Sequence, residues 1–471
     1  MNPTADTEAL TGSTGRLRLG DVRRAPMMIA PQRIVRTVSL LVLSTIAVAC
    51  TSSGSPATTS SAAPTSVTTS EDLAKHVRVL GLWSGPEYDN FGTVKSAWEK
   101  STGNTVDWQG TQDLPDALRA DDQAGTPPDI AVLPNLALLQ QLAKDGTLVP
   151  LNSVLDMNQV EKDYAPPWTN LGSYNGKLYG IFYKASNKAT VWYSPTAFAA
   201  GGYAVPRTWD QMMTLADTMV AHGRTPFSVV SASGPASGWP LTDWISEIVL
   251  NNCGPDVYDK WIAAEIPWTH ACIKQSFEMF DKIVHTKGYV LGGTQGILTT
   301  ADGDGGTPLY TQPPTAHMYY LSSIAQGFIA SQYPNLTAGQ DYNYFPFPTI
   351  KPQYGGAITI GADVVVMVRD TPAARSFMSY LAGAPAQEAW IKLGGFTSVN
   401  RSVSSDSYLD PVGQAVAADV TDARIVRFGA GDVMSASLQQ AWWAGMLDLV
   451  KDPSKLDSIL RSLTSIAKTV P

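Results

Sequence analysis

Residues 176–198 read GKLYGIFYKASNKATVWYSPTAF, and this stretch restricts the fold more than any other. Two short runs, 179–184 and 190–194, are rich in aromatic and β-branched residues and are separated by the polar Ser186, Asn187 and Lys188. They are expected to be strands joined by a brief connection. Pro195 then opens a helix. Longer helical patterns flank this apolar pair on both sides, which leaves two readings: the centre of one sheet, or a crossover by which the chain leaves one lobe for another. Residues 356–368, GAITIGADVVVMV, repeat the strand, break, strand pattern with the interruption at Gly361, Ala362 and Asp363. That is the form a return crossover would take.

Upstream, 76–83 (HVRVLGLW) alternates before the turn Ser84-Gly85-Pro86 and a helix at 88–100. A second strand at 104–108, a helix at 114–124 and a buried strand at 129–133 follow, the last one set off by Pro127-Pro128. Alternating strands and helices imply an α/β fold with a parallel sheet, whose ligand crevice lies outside the carboxyl ends of the strands. The residues just beyond those ends are therefore candidates: Trp83 and Glu87, Asp113, and Asn135.

Downstream, Thr208 and Gln211 read as a capping box for a helix at 209–222. Trp239 and Asp243 lie four apart at a loop-to-helix junction, either facing a cleft or buried at a helix start. Asp302 and Asp304 share the first spacing of a calcium loop, but Thr307 and Pro313 stand where its Gly and Glu belong. A turn, not an EF-hand, is expected there. The proline-punctuated 341–352 is expected to form neither helix nor central strand. Asp370 reads as an N-cap with Pro372 in the first turn, and an aromatic-rich helix at 440–450 is expected to close the chain.

Several of these segments resemble one family. A Gly-Lys-Leu-Tyr-Gly strand, a Tyr-x-Pro helix start, the Pro206-Arg-Thr208-Trp209 turn, a Gly-x-x-Pro-Asp motif at 125–129, the run Gly254-Pro-Asp256-Val-Tyr258-Asp259-Lys260-Trp261, and the turn Gly394-Gly395-Phe396 to Asn400 are similar to the extracytoplasmic sugar-binding proteins of ABC importers. The branch that binds α-glucosides and other oligosaccharides is the nearest likeness. Residues 427–434 also resemble a motif of that branch, but Gly429 and Gly431 depart from it, and Val399 stands where relatives often have Pro. The resemblance implies a two-lobed periplasmic-binding-protein-like fold, each lobe a mainly parallel sheet flanked by helices, with a hinge of crossover strands. The N-lobe would comprise 76–188 and 356–401, and the C-lobe 189–355 and 402–471.

A sugar has apolar C–H faces and a ring of hydroxyls, so its site needs aromatic planes and charged or amide hydrogen-bonding groups. Trp83, Trp239 and Phe396 are the candidates for the first role; Glu87, Asp113, Asn135, Asp243, Asp363 and Arg427 for the second. No cofactor or metal is expected. The five histidines show no metal-ligand spacing, and no nucleophile elbow or phosphate-cradling loop is present. A secreted glycoside hydrolase acting through distant carboxylates is the competing reading. The partners expected are a sugar and an importer permease, and a monomer is expected.

The first 49 residues hold six Arg against three acids, so the remainder is more acidic than the net −8 of the whole chain. A nucleic-acid partner, which needs a basic patch, is disfavoured. Residues 37–49 form a charge-free apolar run behind Arg33 and Arg36 and end in Ala47-Val48-Ala49-Cys50, which resembles a lipoprotein signal with Cys50 as the acylated residue. The protein would then sit on the extracytoplasmic face of the membrane, with translation starting at Met27 or Met28. The charge-free Ser/Thr/Ala-rich tract 51–70 reads as a tether and folding should begin near Lys75. Cys253 and Cys272 flank one short loop, as a disulfide or as two buried thiols.

Overall fold

The computed structural model describes residues 75–111 and 113–469; the apolar run 37–49, Cys50 and the tract 51–70 lie outside them. Its strands are β1 (His76–Gly81), β2 (Thr105–Gly110), β3 (Ile130–Leu133), β4 (Ser173–Tyr174), β5 (Lys177–Leu178), β6 (Gly180–Asn187), β7 (Thr190–Tyr193), β8 (Phe227–Ser228), β9 (Met318–Tyr320), β10 (Asn343–Pro346), β11 (Ala357–Met367) and β12 (Ile425–Phe428).

The larger sheet runs β12-β11-β3-β1-β2, with β6 on the other edge of β11. Strands β1, β2 and β3 are parallel, and all four residues of β3 are buried, as expected for a sheet covered on both faces. The smaller sheet runs β10-β7-β9-β8; β7 is antiparallel to both neighbours, and β8 and β9 are parallel. Pro346 ends β10 on an edge, where its missing donor removes no ladder bond. Among the described residues no helix is long and apolar enough to cross a membrane.

The two sheets are joined by the stretch that constrained the sequence. β6 and β7 are separated by Lys188 and Ala189 alone, and β6 lies in the larger sheet while β7 lies in the smaller. The 356–368 segment differs from its expected form: β11 is one continuous strand, not a broken pair. At about 3.3 Å per residue, its 11 residues reach along β12 with the first four and along β3 with the last four. The break at Gly361-Ala362-Asp363 survives only as a register shift against β6 between Asp363 and Val364. One residue is absorbed as a bulge and the strand is not interrupted. β12, which lies within 402–471, pairs in parallel with the start of β11.

A helix at Trp239–Cys253 is buried from Pro240 to its end. A helix enclosed on every side must satisfy its polar side chains internally, and Asp243, Glu247 and Asn251, four apart, form one polar row along it. Each member of the row holds a connecting segment. Asp243 Oδ1 pairs with Lys188 Nζ at 2.9 Å. Glu247 Oε2 accepts from the Thr359 backbone N–H at 2.9 Å and hydroxyl at 2.6 Å. Asn251 Nδ2 donates to Glu247 Oε1 at 2.8 Å and to the Ala357 carbonyl at 3.4 Å. Cys253 at the helix end is disulfide-bonded to Cys272 of the helix Ala271–His285.

Local chemistry sets other boundaries. The Thr208/Gln211 capping box forms. At the helix Pro372–Ala382 the cap is Thr371, whose Oγ1 accepts from Ala374 N at 3.2 Å. Asp370, expected in that role, lies one residue before the cap because the helix begins at Pro372, and it pairs with Arg375. The aromatic-rich helix spans Ala436–Lys451 but is not the last: Leu456–Ala467 follows, burying Leu456, Leu460, Leu463 and Ala467. Trp442 is fully buried against Trp261 and Trp268, with centroids 5.4 and 5.0 Å away.

Candidate ligand cleft

A cleft of about 610 Å³ opens beside β6 and β11, lined by Lys184, Ala185 and Ser186 of the one and Gly361, Ala362 and Asp363 of the other. One flank is built from Lys184, Asp363 and the turn Gly394-Gly395-Phe396, against which Leu409 lies; Trp239, Ile324, Tyr342 and Asp432 line the other. Both glycines of the turn have positive φ (85° and 69°), a backbone that side chains rarely tolerate. That turn is pinned beneath: Ser398 donates its hydroxyl to Gln387, Asn400 Nδ2 donates to the Ala382 carbonyl at 3.0 Å, and Ser398 N donates to Tyr408 Oη at 3.0 Å.

On the first flank Lys184 and Asp363 are cross-strand partners of β6 and β11. Lys184 pairs with Glu87, and Asp363 Oδ2 accepts from Trp83 Nε1 at 2.7 Å. Burial pushes the Asp363 carboxyl above its ordinary range, against the opposing pull of Lys184.

Four residues further on, Lys188 lies in the crossover, only 7% exposed. Its ammonium sits between Asp243 Oδ1 at 2.9 Å and Asp432 Oδ2 at 2.8 Å. Burial works to lower its pKa, but the two carboxylates outweigh that and hold the ammonium above its usual range. Burial likewise pushes Asp243 up, with Lys188 opposing. Glycines make room for the group: a Cβ at Gly429 would lie 2.9 Å from Lys188 Nζ and 3.0 Å from Asp432 Oδ2, and one at Gly361 would lie 3.4 Å from Lys188 Cε.

The residues singled out by sequence are distributed as follows. Trp239, Asp363 and Phe396 border the cleft. The Trp239 ring is half-buried and its Nε1 donates to Asp302 Oδ2 at 3.2 Å; that carboxylate also takes the Ser233 hydroxyl and, through Oδ1, the Gly303 N–H. Asp302 thus organises a short turn. Phe396 presents little surface, being packed against Tyr183 and Trp390 with centroids 5.0 and 5.3 Å away. Asp243 stands behind Lys188, and Glu87 reaches the cleft through Lys184.

Four candidates lie elsewhere. Trp83 is buried in an aromatic cluster, parallel to Trp108 (5.4 Å) and edge-on to Trp390 (4.8 Å), so it supports Asp363 from below and offers no face to a ligand. Asp113 is an exposed residue at the start of the helix Leu114–Gln123. Asn135 caps the helix Leu136–Lys144, its Oδ1 accepting from Leu138 N at 3.0 Å. Arg427 is held by Asp259 through Nε and Nη2 at 2.5 and 2.7 Å, which removes its donors from the cleft.

Sequence reasoning missed Lys184 and Lys188 as members of the site. The signal was present: a lysine inside or between two otherwise buried strand runs must either leave the sheet or be paired.

Comparison with known proteins agrees with this geometry. A family model described as bacterial extracellular solute-binding protein matches residues 93–421. The osmoprotective compounds-binding protein GgtB of Synechocystis sp. is 32% identical over 80% of this chain and 89% of its own. The alpha-glucosides-binding periplasmic protein AglE of Rhizobium meliloti is 31% identical over 80% of this chain and 84% of its own. Among solved structures, the bacterial solute receptor AcbH superposes with a TM-score of 0.72 at 20% identity, covering 84% of this chain and 99% of its own. The cyclic alpha-maltosyl-1,6-maltose binding protein from Arthrobacter globiformis gives 0.63 at 18% identity, covering 84% and 99%. At those identities the two structures bear on the fold, which is the two-lobed α/β one. These relatives are binding proteins, and the hydrolase alternative finds no support among them.

Proposed function

We propose, for a chain that belongs to the bacterial extracellular solute-binding proteins, that the cleft captures an uncharged oligosaccharide, an α-glucoside in the first instance, and passes it unaltered to an ABC importer permease. The observation that carries this reading is the pairing of charges in the cleft. Lys184 and Lys188 are each already neutralised by carboxylates, so an anionic ligand meets no unpaired lysine among the described lining residues. Carboxylate oxygens remain to accept hydroxyl protons, and charged acceptors make the stronger hydrogen bonds.

Apolar surface suits the other side of a sugar. Leu409 and Ile324 border the cleft at 69% and 44% exposure, as does the half-buried Trp239. A pyranose C–H face laid on them would remove that surface from water. A ligand touching both flanks binds the closed arrangement better than the open one and shifts the population by that difference. The AglE and GgtB names support the substrate class.

The same reading places the protein outside the cytoplasm as a monomer tethered through acylated Cys50. Two acyl chains hold a protein on a bilayer where one does not; Cys50→Ser is expected to release the protein into the medium, and a membrane fraction unchanged by it would remove the anchor. The function is tested by a thermal-shift screen against di- and trisaccharides. A sugar at 100 times its Kd adds about 2.7 kcal/mol. Cleavage of the bound sugar by the purified chain, seen by chromatography, would overturn it.

A further inference from the structure

Resting on that reading, we propose that Lys188 is a positioning residue for ligand capture: from within the crossover it fixes Asp432 so that one carboxylate oxygen is left for the ligand. Asp432 borders the cleft with 32% of its side chain exposed. Its Oδ2 is taken by Lys188, and Oδ1 has no hydrogen bond among the described residues. The two carboxylates differ in exposure, 7% of the side chain for Asp243 and 32% for Asp432. Here one, Asp243, is enclosed and the other opens on the cleft.

Charge counting gives the same result. One ammonium faces two carboxylates, Asp243 and Asp432, and Asp243 Oδ2 is itself buried without a partner. The group therefore carries an excess of acceptors over donors, and a vicinal hydroxyl pair would supply what is missing at the exposed end. The other charged groups that line the cleft or lie near this cluster are Glu247 on the buried helix, Lys184, Asp363, and Asp410, whose oxygens accept from Gln326 and from the Val412 and Gly413 N–H groups. Glu247 is occupied by Thr359 and Asn251, and Lys184 by Glu87, which leaves Lys188 as the cation paired with Asp432.

The glycine at 429 is part of the device. Its φ of −48° suits any residue, so alanine there strains no backbone, yet the added Cβ would push on the Lys188 ammonium at 2.9 Å. The end of a flexible side chain would give way, and the fold would not.

The experiment is calorimetric titration of the purified chain with maltose, sucrose and trehalose, with thermal unfolding run in parallel as a check on folding. For a sugar that binds the wild type, Asp432→Asn and Gly429→Ala are each expected to weaken binding about 10- to 100-fold, the range of a charged hydrogen bond. Lys188→Met is made together with Asp243→Asn, so that no unpaired charge is buried. This pair is expected to lose the same range in an Asp432 background and almost nothing more once Asp432→Asn is present, because its effect runs through that carboxylate. Wild-type affinity in the paired variant, or a loss that adds in full to that of Asp432→Asn, overturns the inference while leaving sugar capture intact. Absence of binding by the wild type to all three sugars and to the wider screen overturns the capture reading itself.

Discussion

Lys184 and Lys188 stand four residues apart on one crossover, and the contrast between them shows how burial sets the worth of a charge. Lys184 retains 24% of its side-chain exposure and faces Glu87, which is 46% exposed. Water screens that pair, and its contribution to stability belongs with surface ion pairs. Lys188 and Asp243 retain 9% and 7%, so neither has water to fall back on. A lysine–carboxylate pair is thus a water-screened rim contact at one position and an enclosed anchor at the other.

Replacing the lysines separately tests this contrast most sharply. Lys188→Met alone is expected to lose about 3–5 kcal/mol in denaturant unfolding, because it strands Asp243 as a buried unpaired charge; adding Asp243→Asn should restore most of the loss. If Lys184→Met proves as damaging as Lys188→Met, burial is not what separates the two.

The polar row of the buried helix extends the comparison to pH. Burial pushes the Glu247 carboxyl from its ordinary 4.5 to about 7, against the hydrogen bonds from Thr359. Between those two values the unfolded chain has released this proton while the folded chain still holds it, so stability falls as pH rises through the window. The fall amounts to about 3 kcal/mol. It is fully expressed above about pH 7 and absent below about 4.5. Asp243, also pushed up, adds a slope of the same sign. Urea unfolding between pH 4 and 8 is expected to show the decline, and Glu247→Gln to flatten part of it; an identical profile in that variant would assign the slope elsewhere.

The disulfide acts on the same helix from its far end. Replacing both Cys253 and Cys272 by Ser, 19 residues apart, is expected to cost roughly 3 kcal/mol through the entropy of the unfolded loop, read as a lower midpoint in thermal unfolding. The smallest effect expected is that of Lys184→Met, under about 1 kcal/mol. A larger loss would mean that the Glu87 pair is held more rigidly than its exposure indicates.

How much of the site could be read beforehand depended on how local the deciding interaction was. Asp363 was found at a break in an apolar strand pattern, Trp239 at a loop-to-helix junction, and Phe396 through the likeness of its Gly-Gly-Phe turn to the family's. Trp83 occupied an equally good place in the strand order, yet its neighbours Trp108 and Trp390 enclose it. Asn135 and Arg427 had the right chemistry, but a helix cap and Asp259 had already claimed it.

By itself the sequence determined the alternation of strands and helices, the apolar stretch at 179–194 that joins the two sheets, the Thr208 capping box and the glycine turn at 394–395, since these depend on residues a few positions apart. The continuity of β11, the identity of its partners and the enclosure of Lys188 by Asp243, 55 residues away, were decided only by tertiary structure. A carboxylate's role follows from which cation and how much water reach it, and both are fixed by packing between segments that the linear pattern does not connect.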